Sequence, residues 1–381
     1  MKMNWKNMLT VAMMATVAMG ATSCDDDESS DDELDSNRQA VIQNYVESVV
    51  IPTYKNLADA SIRLAEVCDD LSTQEKVDEA CAEWKAARQY WELSEAFLFG
   101  AASDYNIDPH IDSWPLALSE LDKLLTSADI EASVAVAGYG LLGFHAIEYV
   151  IFKDGGTGDY SNRNREVGTI TENEAIFAKA VADDMRDQCI RLEASWAGLE
   201  NVSEEKQAFL ADAELEPTLN YGNMLTSAGL AGNDKYKSQI DAFEEILTGA
   251  SDIANEVGNT KISDPMNSGN WADVESPHSW NSVADFVDNI RSVRNAYYGT
   301  LDGTMSSKSV SSIVALANKE IDTDVREKID EAIAALDAMP RPFRNYIDKH
   351  DADATAKINA AVEACNALVD ALDAAQEAIK Q

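Results

Sequence analysis

The stretch DADATAKINAAVEACNALVDALDAAQEAIK, Asp351 to Lys380, decides the fold. Ile358, Val362, Cys365, Leu368 or Val369, and Leu372 follow one another at steps of three and four, which puts them on one face of a helix. Eleven alanines in the last thirty residues keep that helix thin, so a neighbour can pack closely against it, as in a bundle. The same period recurs upstream. It predicts helices near Ser309 to Met339, Trp280 to Tyr298, Asp234 to Val257, Ser203 to Leu215 and Thr171 to Leu199. Further back lie an apolar helix from about Ile130 to Phe152 and one starting at Trp114-Pro115. Ser72-Thr73-Gln74-Glu75 has capping-box spacing and opens a helix ending near Gly100; a first helix runs from Arg38 to Asp69 with a kink at Pro52. No segment alternates as a strand would, so the expected class is all-α. Only 18 Gly and 8 Pro in 381 residues agree with long elements. Residues 101–113, 154–168 and 258–279 read as loops. A boundary near residue 200 gives two bundles, residues 37–200 and 201–381.

The charge is strongly unbalanced, with 68 acidic residues against 30 basic and a net charge of -38. Such a surface repels nucleic acid and anionic membranes, so neither is an expected partner through its field. A hydrophobic fraction of 45% with seven Trp supplies a core, which excludes an acidic disordered chain.

Residues 1–23 have a signal-peptide layout: Lys2 and Lys6, an apolar run from Met8 to Met19, then Ala21-Thr22-Ser23 before Cys24. The run is too short for a membrane span of about 20 residues. The pattern resembles a bacterial lipoprotein signal, which implies acylation at Cys24 and contact with the membrane through a lipid anchor only. Eight acids between Asp25 and Asp35 predict a self-repelling, extended tether over residues 24–36. The run also resembles the surface-export signal of Bacteroidetes lipoproteins, so the expected place is the outer membrane, with the body facing the periplasm or the cell surface. Cys68, Cys81, Cys189 and Cys365 each sit in an apolar stripe and read as small buried hydrophobes, although Cys68 and Cys81 are placed so that they could pair.

Polar groups on apolar faces mark candidate sites. Trp84, Arg88, Trp91 and Glu95 advance by four, three and four and share the stripe of Val77 and Cys81. A charged pair there is costly unless satisfied by another helix. In LLGFHAIEYVIF, Leu141 to Phe152, His145 and Glu148 stand three apart on one face of an otherwise apolar run. Gly138, Gly140 and Gly143 precede them and would allow close approach of backbone or ligand. A third cluster is Glu275 to Asn281, ESPHSWN, followed by Asp285 and Asn289; Ser279 could cap the helix there, and the two later residues could lie on its wet face. Asp104, Asp108 and Asp112 do not have the order of a calcium loop, and read as loop solvation or capping.

Taken together, WKAARQYWELSEAF (Trp84 to Phe97), DPHIDSWPL (Asp108 to Leu116), GFHAIE (Gly143 to Glu148) and ESPHSWNSVADFVDNIRSVRNAYYG (Glu275 to Gly299) resemble the imelysin-like proteins. GFHAIE matches the family's GxHxxE motif at Gly143, His145 and Glu148, and Trp84, Arg88 and Glu95 match its first motif. His278 stands where an aromatic residue is commoner, and Trp280 where relatives often have His. The resemblance implies two four-helix-bundle domains around a shared interface, a site there, and a role in bacterial iron acquisition with an envelope transport partner. The expected ligand residues are Trp84, Arg88, Glu95, Gly143, His145, Glu148, Ser279, Asn281 and Asp285, with His145 and Glu148 as metal ligands. The cargo would be an iron species, or a small anionic ligand that Arg88 would favour. Zinc belongs to the alternative, an HxxE-type metallopeptidase, which needs three protein ligands and an open position. A second alternative is a structural surface scaffold.

Overall fold

The computed structural model describes residues 26–153 and 163–380. Cys24 and the signal segment lie outside the described residues, as does most of the loop expected at 154–168. Among the described residues all regular structure is helical, and no helix is long and apolar enough to cross a membrane.

The first helix, α1 (Asp26–Tyr45), runs through a π turn (Val46–Val50) into α2 (Ile51–Cys68). Pro52 follows directly on the π turn, so its missing N–H falls where the continuous helix passes from the wider turn back to α geometry. Residues 26–36 are helical instead of the extended tether expected. The segment holds no Gly or Pro to stop the helix that begins in the packed turns around Val41 and Ile42. Next come α3 (Gln74–Glu92), α4 (Gly143–Phe152) and α5 (Glu172–Ala197), then α6 (Gln239–Glu256), α7 (Ser282–Tyr298), α8 (Lys319–Asp337) and α9 (Ala352–Ala378). Thr73, not Ser72, caps α3, accepting from the Lys76 N–H.

Several long helices break where the period alone gave no warning. The expected helix from Ile130 to Phe152 is a short helix (Ile130–Val134), a 3-10 turn (Tyr139–Leu141) and α4, because Gly143 takes φ +73°. The one from Ser309 to Met339 divides at Asn318, whose side chain caps α8 by accepting from Glu320 and Ile321 N–H groups. The helix expected at Trp114 starts at Leu118. Conversely, the loop at 101–113 contains two short helices, Ala101–Asp104 and Ile107–Ile111. Residues 258–279 begin as a π turn (Val257–Ile262) that continues α6 into a further helix, Ser263–Ser268.

Helix α2 packs on α3 and α5, and α4 closes that ring against α3 and α5; α6, α7, α8 and α9 form a second ring in the same cyclic order. The rings meet where α3 crosses α7 and where a 3-10 turn (Glu95–Phe97) touches α6. One apolar cluster runs through both, with Trp84, Trp91 and Trp196 fully buried in the half that contains α3 and α5. Close helix packing is visible at Gly258, whose added Cβ would stand 3.2 Å from the Cβ of Cys365 in α9. All four described cysteines are buried, unpaired thiols, and burial pushes Cys68, Cys189 and Cys365 up to about 12.

Candidate functional site

Where the rings meet, polar side chains from seven segments converge inside the apolar core. Helix α3 supplies Trp84, Arg88 and Glu92 on one face, then stops; the 3-10 turn after it turns Glu95 toward the same region. Asp112 follows the short helix Ile107–Ile111, and α4 brings His145 and Glu148. Lys261 comes from the π turn, Glu275 and Ser279 from the connection that follows, and Asp285 and Asn289 from α7.

Gly143 sets the position of α4. A Cβ built on it would lie 2.0 Å from the Ile111 carbonyl oxygen, so only glycine lets the helix start against the segment that carries Asp112. Gly138 has open space and Gly140 ordinary contact, so neither serves close approach. Trp84 fixes the same turn by donating its indole N–H to the Phe144 carbonyl at 2.9 Å.

Arg88 is fully buried and surrounded by carboxylates: Asp112, Glu92, Glu275 at 2.7 Å and Asp285 at 3.7 Å. Its guanidinium also lies 5.3 Å from the Phe144 ring centre. Asp112 accepts in turn from the Trp91 indole N–H at 2.7 Å. Against the cost of burial, Arg88 and then His145 hold the Asp112 carboxyl well below the usual range.

His145 bridges Asp112 and Glu148. Its Nε2 is 3.2 Å from Asp112 Oδ1, and its Nδ1 is 3.4 Å from Glu148 Oε2. Burial opposes the charge, yet the two carboxylates carry the imidazole up to about 9. Glu148 is held down to about 2 although it is enclosed, by His145, the nearby His278 and the Ser279 N–H. Its Oε1 accepts from the backbone N–H groups of His278 at 3.0 Å and Ser279 at 2.7 Å, and from the Ser279 hydroxyl at 2.7 Å. Ser279 therefore does not cap α7. Because the imidazole is charged more readily folded than unfolded, its stabilisation is complete below about pH 6.5 and fades as pH rises through about 9. Urea unfolding between pH 6 and pH 9.5 should show a loss of up to about 3 kcal/mol from this group, and His145→Gln should flatten the profile by that share.

Of the expected metal pair, His145 falls in a larger group of potential ligands and Glu148 does not. Ligand atoms of Asp112, His145 and Glu275 come within 4.8 Å of one another, as do those of Glu92, Glu95 and Asp112. Glu148 belongs to neither group, because its oxygens face the Ser279 segment and the imidazole. Asn281 donates to Asp285 Oδ1 at 2.6 Å and so stands behind the site. Asp285 and Asn289 are buried, not on a wet face; Asn289 donates to Glu92. Burial pushes Asp285 up to about 7.

Four residues were outside the sequence-based set. Glu92 was legible, since it stands four residues after Arg88 on the same face. The sequence around Asp112 suggests loop solvation or capping, yet it is buried at the centre, because the short helix before it folds the segment inward. Glu275 was seen only as part of a cluster. Lys261 lay in an apparent loop; the π turn that aims it inward has no sequence signature of comparable strength.

Beside this cluster lies a cavity of about 230 Å³ walled by Glu95, Asp108, Asp112, Trp114, Glu256 and Lys261. It shares Glu95, Asp108 and Glu256 with a cleft of about 450 Å³ that reaches the exposed Ser103, Asn106 and Thr248. Burial raises Glu95 well above the carboxylate range, raises Glu256, and pushes Asp108 up to about 6.

Residues 50–373 match the family model described as imelysin. The chain is 25% identical over 309 residues to iron-regulated protein A of Synechococcus elongatus, covering 80% of this chain and 77% of that protein. It is also similar to the crystal structure of a candidate iron-regulated protein A precursor from Parabacteroides distasonis, with a TM-score of 0.77, 27% identity, and coverage of 91% and 95%. An imelysin-like protein from Psychrobacter arcticum shares the fold, with a TM-score of 0.57 at 13% identity over 91% and 94% of the two chains.

Proposed function

This chain belongs to the imelysin family, and from that premise we propose that it is an envelope-anchored lipoprotein that binds an iron species in the buried site between its two helical rings. The observation that carries the reading is the excess of enclosed carboxylate. Among the described residues, Glu92, Glu95, Asp112, Glu275 and Asp285, with Glu148 beside them, stand against Arg88, Lys261 and the His145 imidazolium. Unpaired buried carboxylates are costly, and burial raises Glu92, Glu95 and Asp285, a cost that a nearby metal cation would offset. Glu275 Oε2 and Asp285 Oδ2 are buried without a hydrogen bond among the described residues, which adds two oxygens able to accept a cation. Oxygen-rich sites of this kind suit hard cations. The relatives described as iron-regulated point the same way.

An anionic ligand is less well supported, because Arg88 is already enclosed by four carboxylates. The peptidase reading needs three ligands and an open position, and Glu148 is committed to the Ser279 segment. Acylation of Cys24 belongs to the same proposal and is checked by metabolic labelling with a fatty acid analogue, with Cys24→Ala expected to lose the label.

The test is calorimetric titration of the full-length chain in detergent with Fe(II) under anaerobic conditions and with Mn(II). Glu95→Gln keeps the shape and removes the charge of a side chain that burial already disfavours as an ion, so the melting temperature should hold while cation affinity falls at least tenfold. Absence of binding in the wild type, or undiminished binding in the variant, would overturn the assignment.

A further inference from the structure

We propose that the cargo is an unchelated, hydrated cation that takes the place of the Lys261 ammonium, so that this lysine is the specificity-determining residue of the site. The proposal rests on the iron-site reading above and names its substrate class. Lys261 is 1% exposed, and its Nζ lies 2.9 Å from Glu275 Oε1, 3.9 Å from Glu92 Oε2 and 3.9 Å from Glu95 Oε1. Three carboxylate oxygens around one cationic nitrogen form the shell a metal ion would use. The protein thus places its own charge at the best cation position.

Glu95 is the second observation. It is 7% exposed, lines both the cavity and the cleft, and among the described residues its carboxylate makes no hydrogen bond. Lys261, at 3.9 Å, is its only ion-pair partner there. A buried carboxylate so loosely held and facing open space is available to an arriving ion.

Size and charge then select the cargo. The inner cavity of about 230 Å³ has room for about seven waters at about 30 Å³ each, enough for an ion with its first hydration shell. Its acidic walls are Glu95, Asp108, Asp112 and Glu256 against the single Lys261, so an anionic chelate meets carboxyl oxygens on nearly every side and one cationic partner. The ammonium has a place to go. It borders the cavity it would enter, with the Trp114 ring 5.3 Å away on one side and Glu256 on the wall. The π turn that carries Lys261 is a backbone form found often at functional sites, where one extra residue in a turn re-aims a side chain.

The experiment is calorimetric titration of the full-length chain in detergent with MnCl₂, anaerobic Fe(II) and ferric citrate. Wild type is compared with Lys261→Met and Lys261→Arg, and Lys261→Gln replaces the methionine variant if melting curves show that it does not fold. Removing the competing charge should tighten Mn(II) and Fe(II) binding at least tenfold, while the arginine variant should bind no tighter than wild type. Ferric citrate should not bind. Cation affinity that is unchanged or weaker in the neutral variants would overturn the proposal while leaving the site reading intact. So would ferric citrate binding that is lost with the lysine, which would make Lys261 an anchor for an anion. Absence of cation binding by every variant would overturn both readings.

Discussion

Replacing Arg88 by leucine is expected to cost the fold roughly 3–5 kcal/mol, the range for removing one partner of a buried ionic network. The arginine is 0% exposed and stands among Asp112, Glu92, Glu275 and Asp285. Without it, Asp112 loses the charge that does most to keep it ionised, and four carboxylates are left with Lys261 and His145. Lysine should not restore the loss. It offers a single ammonium where the guanidinium reaches separate carboxylates through different nitrogens, Nη1 toward Asp112 and Nη2 toward Glu275. Urea unfolding of wild type, Arg88→Leu and Arg88→Lys measures this directly. A loss below about 1 kcal/mol in the leucine variant would show that the network does not hold the rings together.

Gly143→Ala should be comparably severe for a different reason. Left-handed backbone in a non-glycine residue costs about 1–3 kcal/mol. The new methyl would also meet the Ile111 carbonyl at 2.0 Å, and that atom is backbone, which cannot swing aside. Overpacking of this kind adds about 1–3 kcal/mol. The damage should be functional as well, because Ile111 precedes Asp112 and a displaced Asp112 no longer meets His145. Gly138→Ala is the matched control: nothing lies within 4 Å of its Cβ position, and stability should change by less than about 0.5 kcal/mol. The pair is compared by urea unfolding, and equal stabilities would refute the close-approach argument.

Helix class was legible because burial imposes a period, and the period survives wherever one face meets the core. Breaks were not. Gly143 and Asn318 interrupt their helices through backbone conformation and capping, which leave the apolar spacing on either side unchanged. The site was legible where a charge interrupted an apolar stripe, as at Arg88, His145 and Glu148. It was hidden where the charge came from a segment without such a stripe. Asp112 follows a single helical turn and Lys261 lies within a π turn, so neither has a long periodic neighbourhood to stand out against. Glu95 shows a subtler limit. Helical spacing put it in line with Arg88, but α3 ends at Glu92, and Glu95 reaches the cavity from a 3-10 turn.

The Glu148 carboxylate has a consequence for time. It belongs to α4 in one ring and holds two successive backbone N–H groups of the segment that leads into α7 in the other. Both oxygens of this buried acid are committed, so parting the rings would strand a charge away from water. A cargo molecule that needed the rings to part would stay for as long as that clasp lasts. The side cleft past Asp108 and Glu256 spares it the wait. For the proposed cation, residence would then be set by how fast the ion sheds and regains water at the carboxylates, and its release would not require the rings to come apart.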